Sequence, residues 1–166
     1  SAREIGWEMR MVPSTYRTAT IGGFIAGGSG GIGSINYGLL SDRGNITALE
    51  VVTLEEDPQV IELRGENVQK VNHAWGINGI ITEVEIPLAP AYPWAELVIS
   101  FDDFMTTVKF GKALAYADGI IKKEIGIFAS PISQYFNALK DYIPENSHAA
   151  LLIVAETSLE SLKDLV

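Results

Sequence analysis

The chain has 166 residues, 47% hydrophobic and 20% charged, which is enough to bury the core of one domain or two small ones and too apolar for a disordered segment. Its net charge of −9 is spread evenly, with 6 basic and 11 acidic side chains in residues 1–90 and 6 and 10 in residues 91–166, so no basic face exists for a nucleic-acid backbone. Cysteine is absent and histidine occurs twice, which excludes disulfides, thiolate zinc sites, cysteine nucleophiles and histidine-rich metal centres.

Residues 3–10 read as an irregular helix end closed by Pro13 and Ser14. Thr20 to Gly38 follows, holding eight of the sixteen glycines, at a cost in backbone entropy that any regular element would feel. Ile46–Leu54 is rich in β-formers and predicts a strand; Glu55–Pro58 is a turn with a solvated acidic tip, and Gln59–Arg64 completes a hairpin. A short helix is expected over Asn67–Ala74 and a half-buried strand over Ile80–Leu88, where apolar residues alternate with Glu83 and Glu85. The proline-rich Ala89–Pro93 reads as a linker, placing a domain boundary at residues 90 and 91.

Beyond it, Glu96–Phe101 predicts a strand. Asp102 is expected to cap a helix running to Asp118, with Phe104, Val108 and Leu114 inward and Gly119 as the stop. Ile120–Phe128 predicts a strand with Lys122 and Lys123 on its wet face, and Ser130-Pro131 opens a helix carrying Ile132, Tyr135, Phe136 and Leu139. His148–Ala155 is an apolar strand, and Thr157 with Glu160 fits a capping box for a final helix. The order is β-α-β-α-β-α. The opening Ser1-Ala2, without methionine, and the unstopped last segment predict a piece of a longer protein. No run of 18 apolar residues and no signal-peptide pattern occur, which predicts a cytoplasmic protein and leaves a membrane-peripheral one open.

Gly28-Ser-Gly-Gly-Ile-Gly33 spells G-x-G-x-x-G, but a dinucleotide fingerprint needs a buried strand before it and an amphipathic helix after it, and the flanking sequence supplies neither. Extended glycine-rich backbone can instead offer N–H groups to an anion and lie flat against a ligand. His73, beside Asn72 and Trp75, is a weak candidate acid/base group, and His148 reads as structural.

The spacing of Thr20-Ile-Gly-Gly23, Ser29-Gly-Gly31 and Tyr37-Gly38, with Pro13-Ser14 before them and Gly76-Ile-Asn-Gly79-Ile80-Ile81-Thr82-Glu83 after, resembles the FAD-linked oxidase family. This vanillyl-alcohol-oxidase-like group includes glycolate oxidase and D-lactate dehydrogenase types. The chain departs from the family where Trp75-Gly76 replaces an acidic residue and glycine, and where Ser29 replaces alanine. The resemblance implies an α+β fold. Residues 1–90 would be the second subdomain of an FAD-binding domain, mostly antiparallel sheet with short helices. Residues 91–166 would be the start of a β-α-β-α-β-α substrate or cap domain. The first FAD subdomain would lie outside the sequence.

The resemblance further implies that Pro13, Ser14, Thr20, Gly22 and Gly23 line the flavin and pyrophosphate. Gly27, Gly30 and Gly31 would let the backbone pass close to the cofactor, Ile80 and Ile81 would meet the adenine end, and Gly76 and Gly79 would also bind the cofactor. The parent would oxidise a small 2-hydroxy acid by hydride transfer to FAD, this piece alone being inactive and its catalytic residues elsewhere; a homo-oligomer is compatible with this. The alternative reading is a non-catalytic α+β binding or assembly module whose glycine loop takes a phosphate-bearing ligand or a partner chain.

Overall fold

A computed structural model describes residues 2–166 and divides the chain into two units, one ending at Ala91 and the other beginning at Tyr92. In the first, a 3-10 turn at Ala2–Ile5 leads into β1 (Trp7–Met9), then α1 (Ile21–Gly27), α2 (Ser34–Tyr37), β2 (Ala48–Val52) and β3 (Val60–Arg64). A 3-10 helix at Gly65–Lys70, β4 (Ile80–Glu85) and β5 (Leu88–Pro90) complete it. β2 is the centre of an antiparallel sheet ordered β3-β2-β4, as its run of β-formers predicts. Leu49 and Val51 are fully buried and join Met11, Phe24, Ile25, Leu40, Ile46, Val68 and Val71 in one core.

Five expectations are corrected here. Residues 3–10 hold a strand after their 3-10 turn, because β1 pairs with β5 (Glu8 opposite Ala89). That pairing also makes Leu88–Pro90 a strand rather than linker and ends the predicted Ile80–Leu88 strand at Glu85. The helix expected over Asn67–Ala74 is the 3-10 helix at Gly65–Lys70. The glycine stretch is not extended: it contains two short helices, α1 and α2.

The second unit runs β6 (Trp94–Phe101), α3 (Phe104–Tyr116), β7 (Lys122–Phe128), a 3-10 helix at Ile132–Tyr135, β8 (His148–Ala155), a 3-10 turn at Glu156–Ser158 and α4 (Leu159–Lys163). The strands form an antiparallel sheet ordered β6-β8-β7. The face carrying Ala150, Leu152 and Val154 packs with Phe110 and Leu114 of α3 and Leu162 of α4.

The cap of α3 is Asp103, one residue beyond the expected Asp102; its carboxylate accepts from the Thr106 N–H at 2.7 Å and the Thr106 hydroxyl at 2.9 Å. These two bonds hold its pKa below the usual aspartate value. Leu114 is inward as expected and is joined by Phe110, whereas Phe104 is 38% exposed. Lys122 and Lys123 are buried rather than wet: the Lys122 ammonium donates to the Ala117 and Ile120 carbonyls at 2.7 and 3.3 Å, and Lys123 lies over the Trp94 ring. The helix expected after Pro131 shrinks to the 3-10 helix, with Phe136 packing edge-on to Phe128. No capping box forms, since Ser158 precedes α4 and its hydroxyl accepts from the Ile121 N–H. His148 is structural, its Nδ1 accepting from the Ser130 N–H at 3.0 Å.

Candidate cofactor site

Three of the seven residues of α1 are glycine, each costing a helix interior about 0.5–1 kcal/mol relative to alanine. Two local features still make it a helix. Thr20, in extended backbone, accepts the Gly23 N–H on its hydroxyl at 3.0 Å, satisfying one donor that the first turn leaves unpaired. At the other end Gly28 adopts the left-handed conformation (φ 64°) and its N–H bonds back to the Phe24 carbonyl. Phe24 and Ile25 between them are buried in the core, so tertiary packing outweighs poor propensity.

α1 gathers most of the residues singled out from the sequence. Pro13 and Ser14 start the turn leading to Thr20, the Pro13 carbonyl accepting from the Tyr16 N–H. Gly22 faces the start of β4: a Cβ added to it would sit 3.6 Å from the Ile81 carbonyl oxygen, an ordinary contact. At the C-terminal end, the His73 N–H donates to the Ile25 carbonyl (3.1 Å) and the Trp75 N–H to that of Ala26 (3.0 Å). These bonds bring the loop containing Gly76 alongside Gly27. Ile80 opens β4 and is 58% exposed, so it is no core residue, while Ile81 is half-buried against the core.

The remaining glycines sit differently. A side chain on Gly31 would overlap the Val12 carbonyl, where Val12 and Ile32 bridge; one on Gly79 would overlap Val51. Gly30 lies close to the Ser34 hydroxyl and Leu39. At all three positions the chain's own packing uses the missing side chain. Gly27 is the opposite case: it is right-handed helical, and an added Cβ would meet nothing within 4 Å. Its bare stretch of helix backbone is one that internal packing does not require.

Exposed apolar side chains lie in α1 and the loop beside it: Ile21 is 42% exposed, Ile77 76% and Trp75 75%. An ion pair marks the other end of β4. There Glu85, paired with Ala48, accepts from the Thr47 hydroxyl and pairs with Arg64, and both contacts lower its pKa, the Thr47 bond more. A bare helix strip between exposed aromatic and aliphatic side chains fits a flat ligand laid against the main chain. Sequence reading missed α1 because the glycine count overrode a visible signal: Thr20 as a cap, followed by Phe24 and Ile25 at the inward spacing.

Residues 1–63 match the family model of the FAD binding domain. That matched segment is similar to the FAD-binding domain of FAD-linked oxidases. FAD is accordingly its cofactor. Two crystal forms of alkyldihydroxyacetonephosphate synthase have the same fold: each is 19% identical with a TM-score of 0.70, covering 98% of this chain and 35% and 34% of theirs. The chain thus spans about a third of the length of these structures, and the α+β fold it shares with them extends over nearly all of it. No curated protein matches the sequence.

Proposed function

We propose that this chain supplies one wall of the FAD site in an oxidoreductase acting on a small 2-hydroxy acid such as glycolate or D-lactate. The observation that carries the cofactor placement is the bare backbone at Gly27, a glycine kept in a helix whose own packing has no need of it. Pro13, Ser14, Thr20, Gly22 and Gly23 would line the cofactor at one end of α1, and Gly27, Gly76, Ile80 and Ile81 would continue the surface. When bound, FAD supplies the hydride acceptor; the protein's part is to orient and shield it.

Residues 1–90 are read as the second subdomain of the FAD-binding domain, completed by a first subdomain elsewhere in the parent protein. Residues 91–166 are read as the beginning of its substrate domain, in a cytoplasmic setting. The 2-hydroxy acid follows from the motif resemblance, while the synthase likeness speaks to the fold. Equilibrium dialysis with FAD tests the cofactor surface, and anaerobic addition of glycolate or D-lactate to the FAD-loaded full-length protein tests the substrate class. Loss of the oxidised flavin absorbance is expected; an unchanged spectrum with both acids would overturn the substrate class and leave the cofactor assignment standing.

A further inference from the structure

The loop beside Gly27 is held in a conformation its residues disfavour. His73 and Trp75 both have left-handed backbones, with φ of 58° and 55°, a region that bulky side chains rarely enter and that clusters at functional sites. The fold maintains the strain by specific means. The N–H groups of both residues are tied to the Ile25 and Ala26 carbonyls of α1, and Gly28 leaves the space that His73 occupies. The result is an indole 75% exposed, tilted against the His73 ring at 5.9 Å between centroids, with Ile77 and Ile80 exposed nearby in sequence. Folding gains little from such a side chain, since tryptophan stabilises mainly by burying its large apolar face.

We infer that Trp75 is a stacking platform for a planar heteroaromatic ring of the bound dinucleotide, either the flavin or the adenine. The inference rests on the FAD reading above. Three features converge on it: the ring is presented rather than packed, its backbone is pinned to α1 at the end where Gly27 is bare, and exposed apolar Ile77 and Ile80 follow it in sequence. Aromatic stacking on a heterocycle uses the whole face of the indole, which leucine at the same position could not replace.

The test uses the full-length protein with Trp75→Phe and Trp75→Leu variants and three probes: FAD, FMN and AMP. Melting temperatures of both variants should stay close to the parent, because the indole's ring contact is with exposed His73. By equilibrium dialysis, Trp75→Leu should weaken FAD binding tenfold or more, with Trp75→Phe recovering most of it. If the flavin is the stacked ring, bound FMN should be non-fluorescent in the parent, through contact with the indole, and bright in Trp75→Leu. If it is the adenine, AMP affinity should follow the substitutions instead. FAD bound equally well by parent and Trp75→Leu, with FMN emission and AMP affinity unchanged, would overturn the stacking role and leave the cofactor reading intact. Failure of the parent to bind any of the three would overturn both.

Discussion

Replacing Gly27 with alanine separates what the fold needs from what the cofactor needs. The residue is helical, and the new methyl group would meet no atom of the chain within 4 Å. Alanine should therefore stabilise the protein, by up to about 1 kcal/mol from helix propensity and reduced unfolded-state entropy. A cofactor lying against the bare backbone would be displaced by that methyl, at a cost comparable to overpacking a close-fitting core, about 1–3 kcal/mol, or roughly 5- to 150-fold in Kd. Gly31→Ala is the internal control, because its methyl overlaps the Val12 carbonyl and should cost stability by about 1–3 kcal/mol whether or not FAD is present. Thermal melts without cofactor and equilibrium dialysis with FAD read the two effects separately. A Gly27→Ala protein that melts lower than the parent, or that binds FAD with unchanged affinity, would refute the reasoning.

Thr20→Ala should cost about 1 kcal/mol through loss of the α1 cap, seen as a lower urea midpoint that Thr20→Ser restores. Asp103, whose pKa is lowered by the Thr106 N–H and then the Thr106 hydroxyl, contributes stability that is present above the ordinary aspartate pKa and is lost as pH falls through its depressed folded value. Asp103→Asn should therefore flatten the acid limb of the stability–pH curve measured by denaturant titration, and an unchanged limb would show that the cap carries no such linkage. Lys122→Met should destabilise by about 1–3 kcal/mol, since two carbonyls lose their buried donor; a midpoint equal to the parent's would mean that water replaces it.

The second unit was legible in its strands because continuous apolar runs such as His148–Ala155 leave little choice of partner. It was misread where a residue's role depends on its neighbours in space. Lys122 and Lys123 look solvated in sequence, yet the Ala117 and Ile120 carbonyls and the Trp94 ring take them in. The Thr157–Glu160 pair has the form of a capping box, but the turn at Glu156–Ser158 shifts the helix start past it. In the first unit the motif spacing carried the family, while glycine identity alone could not say which glycines serve the chain. Gly31 and Gly79 are needed for contacts with Val12 and Val51, which lie 19 and 28 residues away in the sequence. Only the packing distinguishes them from Gly22 and Gly27.

The central claim is that FAD lies along α1 and the Trp75–Ile81 segment. Hydrogen–deuterium exchange of the protein with and without FAD tests this directly. Slower exchange is predicted over residues 20–28 and 75–81, with residues 92–166 unchanged. Protection confined to the second unit, or none in either segment at saturating FAD, would contradict it.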